Sequence, residues 1–143
     1  MNVPVKPWKD PVHGDLIRAC RQGQGLRRLN FLFARGADID YRDEQQRTPL
    51  HHAASNGFLS TLSHLVDSGG DVHACAPQFG TPLHCAALSG SAGAVNCLVA
   101  AGADVNQSDE IIGTPLHCAV SNGSAGTVLR LLDSYARADV FAE

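Results

Sequence analysis

Histidine and cysteine are the residue types in this chain best suited to bind a metal or act on a substrate, and it holds seven histidines and five cysteines. Their placement is regular. His51, His84 and His117 recur at intervals of 33 residues, and His52, Cys85 and Cys118 repeat one position further on. Zn²⁺ takes thiolate and imidazole ligands, so this second set invites a metal reading. Distance argues against it, because stacked helices stand about 8–10 Å apart, whereas ligands of one Zn²⁺ sit about 2.0–2.3 Å from the metal. Equivalent positions in successive units do not converge on one ion, and neither metal nor other cofactor is expected. His84 and Cys85 point to different sides of a helix and form no base and nucleophile pair. The sequence contains no Gly-rich phosphate cradle, Ser-His-Asp set or dinucleotide signature. No catalytic residue is therefore assigned, and the chain is expected not to be an enzyme. The alternative is a small-molecule-binding or catalytic protein that uses these polar His and Cys residues, and a deep enclosed pocket would mark it.

The same interval exposes the elements that must position these side chains. Thr48-Pro49-Leu50-His51-His52-Ala53 returns as Thr81-Pro82-Leu83-His84-Cys85-Ala86 and as Thr114-Pro115-Leu116-His117-Cys118-Ala119. A fixed period of this length means stacked structural units. Threonine suits the N-cap, where its hydroxyl accepts from a free amide, and proline at the first helical position gives up an amide that had no partner. A helix starts at each copy. Leu50, Ala53 and Ala54 share one apolar face, and the small alanines let the next helix come close. After breaks at Gly57, Gly90 and Gly123, a second helix presents Leu62, Leu65 and Val66, then Val95, Leu98 and Val99, then Val128, Leu131 and Leu132. Gly36, Gly69 and Gly102 stand where that helix must end in a left-handed residue. Segments 37–47, 70–80 and 103–113 set a β-branched residue (Ile39, Val72, Val105) among polar and turn-forming ones and read as projecting hairpin-like fingers. His51, His84 and His117 then tie a helix start to neighbouring finger backbone. Gly93 and Gly126 fall inside second helices at a cost of about 1 kcal/mol each, which predicts short or late-starting helices there.

Carried backwards, the 33-residue frame sets Asp15 at the place of Thr48, Ile17 at Leu50, Arg18 at His51 and Cys20 at Ala53. It recovers fully in Leu29, Leu32, Gly36 and Ile39. This is an eroded terminal unit, since an end repeat loses the positions that serve a preceding neighbour. Pro4, Pro7 and Pro11 favour extended backbone, so residues 1–13 are expected to form an extended tail. Trp8 in that tail either folds back over the flank of the first unit or anchors a short docking motif.

A length of 143 residues with 44% apolar and 17% charged residues suits one soluble folded domain. No basic flank followed by an apolar run opens the chain, and no apolar stretch approaches the ~18 residues of a membrane span. Patterned cysteines in odd number argue for reduced thiols and a cytoplasmic or nuclear setting. Net charge is −3, unevenly spread: residues 1–47 hold nine basic against six acidic side chains, while 48–129 hold five acids and neither Lys nor Arg. Nucleic acid needs a basic stripe along the binding face, and neither it nor a membrane is expected as a partner. Arg18, Arg21, Arg27, Arg28 and Arg35 make a local basic patch, read as a solvated end face.

Thr-Pro-Leu-His-x-Ala, a glycine break, a Leu-Leu-type helix and Gly102-Ala103-Asp104-Val105-Asn106 together resemble the ankyrin repeat over about residues 14–140. The resemblance implies an all-α solenoid of stacked helix-turn-helix units with projecting fingers, in repeats of about 14–46, 47–79, 80–112 and 113–143. Arg137 at the last glycine position implies a lengthened final helix without a finger. The resemblance also implies a protein-protein interaction module, such as an adaptor, inhibitor or targeting subunit. It would bind another protein on the concave side and be monomeric in isolation. Mapped onto this chain, the contact residues would be Gln45, Arg47, Gln78, Phe79, Ile111 and Ile112 at the finger tips. Ser55, Asn56, Leu88, Ser89, Ser121 and Asn122 would join them from the first helices. Family members often carry glycine where this chain has Gln46, Phe79 and Ile112, so the apolar tips Phe79 and Ile112 either pack between fingers or await a partner. The pairs Asp43-Glu44 and Asp109-Glu110 either receive a basic partner or keep the fingers soluble. Asn106 stands where some ankyrin repeats are hydroxylated.

Overall fold

The computed structural model describes residues 11–141, with side chains described through Ser134. Trp8, Pro4 and Pro7 lie outside the described residues. Eight helices follow in order: α1 (Pro11–Gln22), α2 (Leu26–Ala34), α3 (Pro49–Asn56), α4 (Leu59–Asp67), α5 (Pro82–Ser89), α6 (Ala92–Ala100), α7 (Pro115–Asn122) and α8 (Ala125–Phe141). First helices α1, α3, α5 and α7 pack side by side in one layer, second helices α2, α4, α6 and α8 in another, and each consecutive pair closes one unit. The fold is the expected all-α solenoid.

Local chemistry sets the boundaries. Thr48, Thr81 and Thr114 hold extended backbone at the N-cap, and proline follows at the first helical position. Leu16, Leu50 and Leu83 then point between the layers to meet Leu29, Leu62, Leu65, Val95 and Leu98, all at 0–1% exposure. Each buried leucine contributes about 2 kcal/mol from desolvation. Ala53, Ala54, Ala86 and Ala87 are buried where first helices touch, so their small size sets the close spacing of that layer.

Three expectations are corrected. Pro11 opens α1 as its first residue rather than extending the tail, so the helix starts inside the stretch 1–13. Second, the 33-residue frame slips by one within α1. Gln24 N–H donates to Ala19 O as Phe58 N–H donates to Ala53 O, which makes Ala19, not Cys20, the counterpart of Ala53. Leu16 therefore replaces Leu50 and Arg21 replaces Ser55, an offset of 34 absorbed in the turn before α2. Third, α6 has the same nine residues as α4 despite Gly93. Gly93 sits in the first turn, where a Cβ would lie 2.8 Å from Leu59, so it admits a neighbouring side chain instead of breaking the helix. Gly126 is likewise the second residue of α8, which runs for 17 residues.

The fingers hold little sheet. Among the described residues the only bridges are the isolated antiparallel ones Ala76 to Gly80 and Asp109 to Gly113. What holds the fingers instead is side chains of the first helices.

Candidate functional site

The fingers over 70–80 and 103–113 are each fixed from two sides. His51 Nε2 lies 2.9 Å from Gly80 O of the next finger, and His84 Nε2 lies 2.9 Å from Gly113 O. A carbonyl only accepts, so the ring proton resides on Nε2 and Nδ1 is left as an acceptor. Nδ1 of His51 then receives the Thr48 amide at 3.1 Å and its hydroxyl at 2.8 Å, and His84 does the same with Thr81 at 3.1 and 2.9 Å. A second ring proton would oppose those donors. Burial pushes the His51 pKa down to about 4, with Arg47 and Arg42 adding to it against the Gly80 bond; burial likewise lowers that of His84. Gly80 has φ 70°, and a Cβ there would meet the His84 ring at 2.6 Å, so the close approach of ring and finger requires glycine.

The second set ties each first helix to the finger that precedes it. His52 Nε2 meets Asp43 Oδ2 at 2.8 Å. Cys85 and Cys118 point Sγ at the tip carbonyls of Phe79 and Ile112, at 3.7 and 3.8 Å. The residues that invited a metal reading are thus finger tethers. Among the described residues no group of three or more His, Cys, Asp or Glu side chains is placed to hold a metal. Burial lifts the Cys20 thiol to about 12 and Cys118 to about 11, and raises Cys85, so these thiols stay protonated and are poor nucleophiles at neutral pH.

Acidic finger residues prove to be structural. Asp43 Oδ1 accepts the Gln45 and Arg47 amides, each at 2.9 Å. Burial works against its charge, yet the Arg47 amide, the His52 ring and the Gln45 amide hold its pKa below the ordinary value. Asp109 accepts the Ile111 and Ile112 amides in the same way, at 2.8 and 3.1 Å. Only Glu44 and Glu110 of the two pairs are left exposed to solvent.

On this frame the expected contact residues divide. Arg47, Ser55 and Phe79 come together: the Arg47 guanidinium donates to Ser55 Oγ at 2.9 Å and lies 4.5 Å from the centre of the Phe79 ring. Phe79 and Ile112 are half-buried and pack against the core, whereas Ile111 is 71% exposed. The tips therefore answer both ways, Phe79 and Ile112 packing inward and Ile111 facing out. Gln45 and Gln78 are exposed, the latter at φ 69°. Leu88 is 42% exposed on α5, at the position equivalent to Ser55 and Ser121. Asn56 and Ser89 bond backbone of their own helices, to His52 O at 2.8 Å and Ala86 O at 2.8 Å. Ser121 and Asn122 are exposed on α7.

Arg21 is the first-helix position that the 33-residue frame hides. Once the slip of one residue is allowed for, it joins Ser55, Leu88 and Ser121 along the first helices. It lines two adjoining open depressions that also touch Gly14 and Ile17, one of about 360 Å³ between α1 and the first finger and one of about 480 Å³ between α1 and Asn56 of α3. No enclosed chamber gathers the polar side chains there.

Family models described as ankyrin repeats match the chain twice, three copies over residues 16–109 and one over residues 113–143. No curated protein matches it.

Proposed function

Because the chain belongs to the ankyrin repeat family, whose repeats generally serve protein-protein interaction, we propose that it is a non-enzymatic adaptor, inhibitor or targeting subunit. It holds a partner protein on the concave surface formed by its fingers and first helices. The observation that carries this reading is the contiguous surface in which Arg47 bridges a finger to Ser55, with exposed Leu88 and Ile111 on the following units. Exposed apolar groups beside ordered polar ones are the usual composition of a contact site. The histidine ties hold the fingers before any partner arrives, so little conformational freedom is lost on binding.

The protein acts as a monomer, and the cytoplasm or nucleus is its setting, a reading supported by five unpaired cysteines. Among the described residues no helix is long and apolar enough to cross a membrane.

The test is affinity capture from the native source with the intact chain and with Leu88→Asp combined with Ile111→Asp. Both side chains are exposed, so folding is preserved, unlike changes at the inward-packed Phe79 or Ile112. Loss of the captured partner supports the reading, and unchanged capture overturns it.

A further inference from the structure

We infer that the N-terminal half of the concave surface is a carboxylate-binding subsite. Arg21 and Arg47 there receive one Asp or Glu side chain of the bound protein, while Leu88 receives an apolar residue of the same segment. This rests on the concave-surface reading above and adds the chemistry of the partner.

The two arginines belong to adjoining units. Arg21 on α1 and Ser55 on α3 hold equivalent positions on helices packed side by side, about 8–10 Å apart in such a layer, and Arg47 is bonded to Ser55 at 2.9 Å. Both cations act on buried His52 and lower its pKa alongside the larger effect of burial, which agrees with their common location.

Neither cation has a carboxylate among the described residues. Asp15 meets Arg18 at 3.5 Å and Arg28 at 3.6 Å, while Asp43 meets the His52 ring and two finger amides. Arg21 forms none of these pairs. Arg47 is steered by an aromatic face and a hydroxyl, which orient a guanidinium without neutralising it. Its Nε is buried with no hydrogen-bond partner, an internal cost of placing the guanidinium here. A site that holds a cation oriented and uncompensated suits an incoming anion.

The rest of the surface narrows that anion. Asp43 and Glu44 line the same depression as Arg21, so two negative charges stand beside the two guanidinium groups, and the balance suits one carboxylate better than a doubly charged phosphate. Past Ser55 the surface turns apolar at Leu88, with Ile111 beyond, and from Thr48 to Leu129 the chain has neither Lys nor Arg. One first-helix step separates Ser55 from Leu88 and two separate Arg21 from it. At about 3.3 Å per residue for an extended segment, the acidic and apolar residues of the partner stand roughly three to six positions apart.

Selection of random 12-residue peptides displayed on phage against the intact chain tests this. The expected yield is peptides with Asp or Glu three to six residues from Leu, Ile, Phe or Val. Synthetic copies should bind about tenfold more weakly to Arg21→Gln, and similarly to Arg47→Gln. Their affinity should also fall as salt rises. Arg21→Gln removes a side chain that bonds nothing among the described residues, so its effect is not one of misfolding; an unchanged thermal melt verifies this. Peptides without acidic enrichment, or with affinity indifferent to Arg21→Gln, overturn the carboxylate subsite. If those peptides are still lost to Leu88→Asp, the concave-surface reading survives alone. If no peptide is selected, or binding ignores Leu88→Asp too, both fall.

Discussion

The buried histidines make stability depend on pH. His51 holds a folded-state pKa of about 4, below the ordinary value of about 6.5 that it regains on unfolding. Between those values the unfolded chain binds the proton and the folded chain does not, so stability rises with pH across the window and is lost as pH falls through it. Full titration of this one ring removes about 3 kcal/mol, and the lowered pKa of His84 acts in the same direction. Thermal melts should shift down steadily from pH 7 to pH 4.5, and His51→Gln should flatten that dependence while lowering the pH 7 midpoint. A melt insensitive to pH over this range would contradict the ring assignments. Asp43→Ala offers a second check, because two finger amides and the His52 ring lose their acceptor. It should cost about 1–3 kcal/mol in urea unfolding.

At the scale of elements, position within the stack decides what a substitution does. Leu83→Ala empties a fully buried site on α5 and should cost about 2–5 kcal/mol by chemical denaturation. Ala87 and Val120 occupy equivalent positions on α5 and α7, yet the first is fully buried and the second 62% exposed. Ala87→Val should overpack the helix layer at about 1–3 kcal/mol, whereas Val120→Ala should change stability by less than about 0.5 kcal/mol. The same contrast explains what was legible in the sequence. Thr-Pro-Leu-His fixes cap, helix start and ring partner through local chemistry, so three units could be read from spacing alone. The extra residue in the Gly23-Gln24-Gly25 turn has no such mark, and it concealed that Arg21 shares the first-helix position of Ser55. Phe79 and Ile111 look alike as apolar tips, but only the structure separates the ring under Arg47 from the side chain in solvent. The carboxylates of Asp43 and Asp109 looked like surface charge because an Asx-type turn depends on backbone direction.

For the whole molecule, residues 1–47 carry nine of the eleven basic residues against six acids, while 48–143 are net acidic, so long-range steering should align a charged partner before contact. Sedimentation equilibrium from micromolar to about millimolar concentration should return the 15.1 kDa mass of one chain, and a mass that grows with concentration would argue for self-association through the exposed Leu88 and Ile111. The ties from His51 to Gly80 and from His84 to Gly113 have a wider implication. The loops over 70–80 and 103–113 are each anchored by an earlier first helix through main-chain atoms at the base, so the identity of the outermost side chains is decoupled from the loop's position. Ile111 could be exchanged for other residues without redrawing the scaffold, whereas Gln78, at φ 69°, admits only those that tolerate a left-handed backbone.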